Sequence, residues 1–280
     1  MTDIANIPNL AVPAQTVTNV TLVQPYADNA TIGTSFEAIT NTDVDTVYPV
    51  LVGADIDVVS ADAADDGSPA GTGARTVKVT YLDDDFLQAT ETITMNGTTE
   101  VEMTKQTISF IQKAEILTSG SGLAAAGAIT IADVTGGGIH QVIDAGARDS
   151  GSCHWMIPAG HSGFIHGFWA DALPIAAGQG TLEVVLQIAH AVASGVVNSE
   201  TWRTVARITL IEPDSDIVAA TGGNGNNMGV FSFPGNMPFV VPALTRVRLA
   251  GKSGSTAAAC NAGFSMSVQG SGSGTTVTES

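Results

Sequence analysis

The stretch GTGARTVKVTYLDDDFLQATETITMNG, residues 71–97, constrains the fold more than any other part of the chain. Val77, Val79 and Tyr81 alternate with Thr76, Lys78 and Thr80, the period of two expected of a strand with one buried face. Asp83, Asp84 and Asp85 break the pattern and are read as a turn, after which Ile93 and Met95 alternate with Thr92 and Thr94. Asn96-Gly97 has the composition of a two-residue hairpin turn, but register argues against one. Pairing across it would set Met95 opposite Thr98 and Ile93 opposite Glu100, and would put Val101 and Met103 on the polar face. The sequence therefore predicts that the chain leaves Asn96-Gly97 for another strand or sheet, as in a sandwich.

Similar strand signals recur along the chain. SFEAITN, VYPVLVGADIDVVS, QTISFIQKAEIL and AITIA mark the first half. SCHWMIP, SGFIHGFWAD, GTLEVVLQIAHAV, ETWRTVARITLIE, MGVFSFP, TRVRLAGK and NAGFSMSVQ mark the second. No repeat of fixed period links them, which excludes a β-helix or a propeller. Only 13% of residues are charged, and 31 glycines are available for turns. We read an all-β chain with two β-sandwich or jelly-roll-like domains. An extended N-terminal arm covers 1–30, an acidic β-sandwich domain 31–137, a second β-sandwich or jelly-roll domain 138–270, and a flexible polar tail 271–280. The boundary rests on the small-residue run TSGSGLAAAGAITIADVTGGG at 118–138. Expected inward positions include Val77, Val79 and Ile93 in the first domain and Phe164, Phe168, Ile208 and Leu210 in the second. The arm, rich in Pro, Asn and Thr, is expected to gain order only on a neighbouring subunit or a larger shell.

Charge excludes whole classes of partner. Residues 1–102 hold 16 acidic residues against Arg75 and Lys78, a net of 2 − 16 = −14; the remainder holds 8 basic and 11 acidic residues, a net of −3. Such a surface repels phosphate, so neither nucleic acid nor an anionic membrane is an expected partner. The start, MTDIANIPNLAVPAQ, lacks the basic region of a signal peptide, and no apolar run reaches transmembrane length, so synthesis in a cytoplasm is expected. Cys153 and Cys260 are too few and too far apart for a disulfide framework and are read as buried thiols.

The densest cluster of reactive side chains is CHWMIPAGHSGFIHGFW, residues 153–169. Read as a hairpin turning at Pro158 to His161, it places Cys153 opposite His166 and Trp155 opposite Phe164. His154 then points to the other face and His161 lies in the turn, so four zinc ligands do not converge. A Cys153/His166 nucleophile pair lacks a third, orienting group. Asp55, Asp57, Asp62, Asp65 and Asp66 form an acidic loop without EF-hand spacing; it is read as a solvated loop, with calcium binding left open. Trp155, Trp169 and Trp202 sit in strand patterns that favour core packing over a sugar-binding face. The expectation is a non-enzymatic protein with no catalytic residues, metal ligands or cofactor.

The run GTGARTVKVTYLDDDFLQATETITMNGTTEV, followed by SFIQKAEILTSGSG, AITIADVTGGG, the segment MIPAGHSGFIHGFWAD and the later FPGNMPFVVPALTRVRLAG, resembles β-rich virion structural proteins of tailed, especially marine, bacteriophages. The likeness covers residues 68–268 and lies in strand-and-turn phrases. His161 stands where that family's turn carries a basic residue, and the first half is more acidic. The resemblance implies a virion component, a homotrimer, that decorates or cements a shell built by a major capsid protein, sits on the capsid exterior and carries no active site. Alternatives are a tail or head-fibre attachment protein that binds host glycans, a double jelly-roll major capsid protein, and a secreted carbohydrate-binding module.

Overall fold

The computed structural model describes residues 20–41, 55–134, 138–173, 180–190, 201–211, 227–234, 237–254 and 258–270. Within them the protein is all-β, with eighteen strands, antiparallel pairing throughout and no α-helix. The chain opens with β1 (Val20–Val23), β2 (Tyr26–Ile32) and β3 (Glu37–Ala38). Seven strands follow: β4 (Ile56–Ser60), β5 (Ala74–Asp83), β6 (Gln88–Thr94), β7 (Val101–Glu102), β8 (Ile108–Ser119), β9 (Ile129–Asp133) and β10 (Ile139–Ile143). The last group is β11 (His154–Met156), β12 (His161–Leu173), β13 (Thr181–His190), β14 (Arg203–Ile211), β15 (Asn227–Ser232), β16 (Phe239–Val241), β17 (Thr245–Ser253) and β18 (Ala258–Gly270).

The outer strands pair in a nested order. β1 and β2 pair with β18, β3 and β11 with β17, β15 and β16 with β12, and β14 with β13. Counted as eight successive rungs, these contacts are first with eighth, second with seventh, third with sixth and fourth with fifth. Two further pairings, β18 with β12 and β17 with β13, join the rungs into two sheets of rung order 1-8-3-6 and 2-7-4-5. That is the connectivity of a jelly roll, a long hairpin folded over on itself. Inward residues of both sheets, among them Trp155, Ile165, Phe168, Leu186, Val247 and Phe264, form its core.

The strands β4 to β10 are inserted in the second rung, between β3 and β11. They form a four-stranded sheet, β10-β9-β4-β7, and a three-stranded sheet, β6-β5-β8. Between them lies a separate core that includes Val77, Val79, Ile93, Met95, Ile111 and Ile131. The two crossings of the chain run side by side. Thr40 pairs with Ser152, the Asn41 amide donates to the Gly151 carbonyl at 2.8 Å, and the Cys153 amide donates to the Ile39 carbonyl at 2.9 Å.

This nesting corrects two expectations. Residues 20–32 are not an arm laid on a neighbour, because they pair with β18 of the same chain, with Val20 opposite Gln269. Val23, Ala27 and Ile32 supply the inward side chains that hold them there; the rest of the expected arm, residues 1–19, lies outside the described residues. The expected boundary near residue 137 falls between β9 and β10, which pair with one another, and Ile143 sits in the inserted unit's core. The small-residue run at 118–138 therefore does not mark a domain border, since the strands on either side of residue 137 pair within one unit. The expected tail, 271–280, is outside the described residues.

The opening stretch folds as its alternation predicts. Val77 faces Ile93 and Thr76 faces Thr94 across β5 and β6, while Val77, Val79 and Ile93 are buried. Asp83 makes the turn, its carboxylate accepting from the Asp85 and Leu87 amides at 3.0 and 2.9 Å. Asn96-Gly97 is not a hairpin turn. β7 leaves for the other sheet and pairs with β4, and Gly97, at φ +58°, lies with its Cα against Ala63 of the acidic loop, where an added Cβ would come within 3.1 Å. In the jelly roll, Phe168 and Leu210 are buried and Ile208 is partly buried against the same core, whereas Phe164, expected inward, alternates with the buried Ile165 and faces outward.

Candidate functional site

Cys153 and His166 are not neighbours. β11 belongs to one sheet of the jelly roll and β12 to the other, so Pro158 to Gly160 carries the chain across the sandwich rather than around a hairpin. Both flanking strands bury alternate apolar residues in one shared core, so their pattern matched a hairpin equally well. The Cys153 thiol points into that core and donates to the Ala262 carbonyl at 3.0 Å, whereas His166 Nε2 lies 2.6 Å from the Ser267 hydroxyl. Burial pushes the Cys153 thiol far up and that of Cys260 up to about 12, which suppresses the reactive thiolate. His161 bonds the Ala159 carbonyl through Nδ1 at 2.8 Å. Among the described residues no three His, Cys, Asp or Glu side chains are grouped to hold a metal ion.

The acidic loop divides into different tasks. Asp65 is fully buried and its carboxylate is occupied by protein donors: the Ser60 hydroxyl at 2.6 Å and the amides of Ala74 at 2.5 Å, Ala126 at 2.9 Å and Gly127 at 3.0 Å. It ties three segments of the inserted unit together, which a solvated loop residue would not do. Asp62 and Asp66 accept from the Ala64 and Ser68 amides, both at 2.8 Å. Asp57 sits directly across from Glu102 in the β4–β7 pair. Burial, then the charges of Glu100, Glu102 and Asp55, raise its carboxyl above the ordinary value. Nothing in the alternation marked Asp65 out; its one signal was a position between Ser60 and a Gly-rich loop that could approach it closely.

The joint between the two units is better built than any of the sites expected from sequence. The outward residues of β11 meet the inserted unit: Met156 packs with Leu82 and Phe110, and the Gln112 side chain both donates to the Met156 carbonyl at 2.7 Å and accepts its amide at 3.1 Å. The His154 ring packs edge-on to Phe110, centroids 5.1 Å apart, with its Nε2 accepting from the Gln141 amide nitrogen at 3.0 Å. Gln141 also donates to the Ser152 hydroxyl at 3.0 Å. Burial drives the His154 ring down to about 3, helped by the nearby positive charges of Arg246 and Arg248, so it is neutral at physiological pH. Tyr26 Oη donates to Asp149 at 2.8 Å and Asn41 to Asp144 at 2.8 Å. Hydrogen bonding to Asp149 adds to burial in pushing the Tyr26 hydroxyl up to about 12.

The three tryptophans part company. Trp155 is core, and Trp202 carries the Arg248 guanidinium 3.9 Å from its ring centroid, with Arg248 Nε donating to Gln187 at 2.9 Å. Trp169 is partly exposed on the outer face of β12. The acidic excess is concentrated in the insert. Residues 39–153 hold 17 acidic and 5 basic residues, a net of 5 − 17 = −12; the remainder holds 10 acidic and 5 basic residues, a net of −5.

The fold and its surfaces therefore define an all-β jelly roll with an acidic β-unit inserted in its second rung and locked to its side. No protein-family model matches the chain, and no curated protein matches it. Solved structures with some likeness are those of infectious bursal disease virus. The Gt strain structure is 12% identical over 94% of this chain and 77% of that chain, with a TM-score of 0.23. The Gx strain structure is 12% identical over 93% and 70%, with a TM-score of 0.25. The virus's VP2 subviral particle is 13% identical over 94% and 76%, with a TM-score of 0.20. At such scores the backbones do not superpose as one fold. No helix among the described residues is long and apolar enough to cross a membrane.

Proposed function

We propose that this protein is a non-catalytic structural component of a virion that decorates or cements the capsid shell from outside. The jelly-roll connectivity, first rung with eighth through fourth with fifth, carries the reading. This fold recurs in capsid proteins and also in lectins and cupins, so the step from fold to role is one of analogy. Two features of the chain narrow it. The acidic insert, at −12 over residues 39–153, suits a solvated outer surface that resists association, and the reactive side chains are spent on structure: Cys153 in the core, Asp65 in a buried tie, His154 in the joint. The chain divides into two domains, the jelly roll of residues 20–38 and 154–270 and the inserted unit of 56–149. Its partners are copies of itself, in a closed oligomer for which a trimer matches the local three-folds of an icosahedral shell, and the major capsid protein beneath.

A lattice-forming role is the second reading, favoured by the single complete jelly roll. A double jelly roll gains no support, since the inserted unit's sheets, β10-β9-β4-β7 and β6-β5-β8, do not repeat the nested order. Copy number in purified particles separates these roles. A decorating protein is present at tens to hundreds of copies and can be stripped to leave an intact shell. Copies sufficient to form the shell itself, with collapse on removal, would make the chain the lattice protein. A handful of copies per particle would return it to a tail or fibre attachment role.

A further inference from the structure

The lateral side of the jelly roll opposite the inserted unit ends in an apolar, uncharged strand edge, β15 and β16, which lies beside β14 with its exposed Arg203 and Arg207. The insert hangs on the side formed by β1, β2, β3 and β11, where Tyr26 and Met156 meet it. The far side is formed by β14 of one sheet and by β15 and β16 of the other. β15 and β16 pair on one side with β12, and among the described residues no strand pairs with their other side. On the outer face of that edge, Trp169 stands opposite Val230 and Phe164 opposite Val240. Val230 and Met228 are 65% exposed, Met237 74% and Val240 57%. Residues 227–242 contain no charged residue and no histidine in a chain of net charge −17. An open strand edge beside an apolar face invites association.

We infer that this edge is where a second copy of the chain docks. Charge placement favours a copy over a foreign partner. Two chains joined here hold their −12 units at opposite extremes of the assembly, where mutual repulsion is least, while contact through the insert would press like charges together. The area is sufficient. The part of β12 paired with β15 and β16 runs from Gly163 to Ala172, about 33 Å; with a face about 10 Å wide and a side about 10 Å deep, that offers roughly 650 Å² per copy. Two copies bury roughly 1,300 Å², inside the range of about 1,200–2,000 Å² for specific interfaces. The inference rests on the self-association in the proposed function only for the identity of the partner; it does not need the partner to sit on a virion.

The test is multi-angle light scattering on the full chain, comparing wild type with the double variant Met228→Glu, Val230→Glu and with the control Leu117→Glu, Leu123→Glu on the inserted unit. Both pairs replace exposed side chains, so unchanged circular dichroism spectra and melting temperatures are required of each variant. The inference expects a wild-type mass that is a multiple of 28.4 kDa, the edge variant at the single-chain mass, and the control like wild type. A wild type that stays a single chain at millimolar concentration overturns it, as does an edge variant that keeps the wild-type mass or a control that loses it. Association that appears only when residues 1–19 are removed would mean that the chain's own start covers the edge, and also overturns it. Failure of the virion role alone leaves these masses unchanged and shows instead in the copy number of particles.

Discussion

The jelly roll and its insert are both antiparallel sandwiches, yet they are held by different means. The jelly roll joins residues at the two ends of the described chain, Val20 with Gln269, around one continuous apolar core, and carries a net charge of only −5. The insert is built from strands nearer in sequence, carries −12, and spends a buried carboxylate on tying its loops. One unit depends on distant strands closing over a core, the other on local strands plus polar ties. Perturbations should therefore separate them.

The largest expected effect comes from the chain start. Removing residues 1–19 leaves β1 and β2 in place and should leave thermal stability within about 0.5 kcal/mol, whereas removing 1–32 strips two strands from β18, exposes Met266 and Ala262, and should abolish folding of the jelly roll. Soluble expression and near-ultraviolet circular dichroism of the two truncations check this.

Acid should strike the joint. His154 has a folded value of about 3 against an ordinary 6.5, so the unfolded chain binds the proton more readily. The stabilisation from a neutral, buried ring is complete above pH 6.5 and is lost as pH falls toward 3, a total of order 4–5 kcal/mol. Denaturant midpoints measured between pH 7 and pH 4 should fall, and His154→Gln should flatten that slope. An unaltered slope in the variant would assign the acid sensitivity elsewhere.

Asp65→Ala leaves the amides of Ala74, Ala126 and Gly127 without their buried acceptor and should cost about 3–5 kcal/mol. The cost should fall on the insert alone, with the jelly roll's melting transition unmoved. In the other direction, Asp57→Asn removes a like-charge pair with Glu102 and should stabilise the insert by about 0.5–1 kcal/mol at neutral pH. Since the Asp57 carboxyl is raised in the folded state, folding favours its protonated form. The wild type recovers that stability as pH falls through the raised value toward 3.8, so the variant's advantage should vanish there.

Local features of this fold were legible and nested ones were not. Alternation at 76–82 and 88–94 located two strands and their buried faces, and the register argument at Asn96-Gly97 sent the chain to another sheet, because both rest on a period that each strand displays by itself. The eight-rung order has no such local mark. Val20 and Gln269 meet across the described chain, and the Pro and Asn content of residues 1–30 reads the same whether β1 and β2 lie on β18 or on a neighbour. The reading of 153–169 failed for a related reason: strands in facing sheets of one sandwich show the same inward alternation as two strands of one hairpin. Asp65 was invisible as a tie because its partners are backbone amides of residues 74, 126 and 127, which no side-chain pattern records. The catalytic and metal candidates depended on the mistaken hairpin or on loop composition.

Hydrogen exchange of the intact chain in rising denaturant, read by mass spectrometry, tests the nested architecture most directly. Segments that open together exchange with one free energy. The account predicts that residues 20–32 share the opening free energy of 161–173 and 245–270, while 74–83, 108–119 and 139–143 open together with a different one. Residues 20–32 exchanging as fast as free chain, or a division that puts 139–143 with the jelly roll strands, would contradict it.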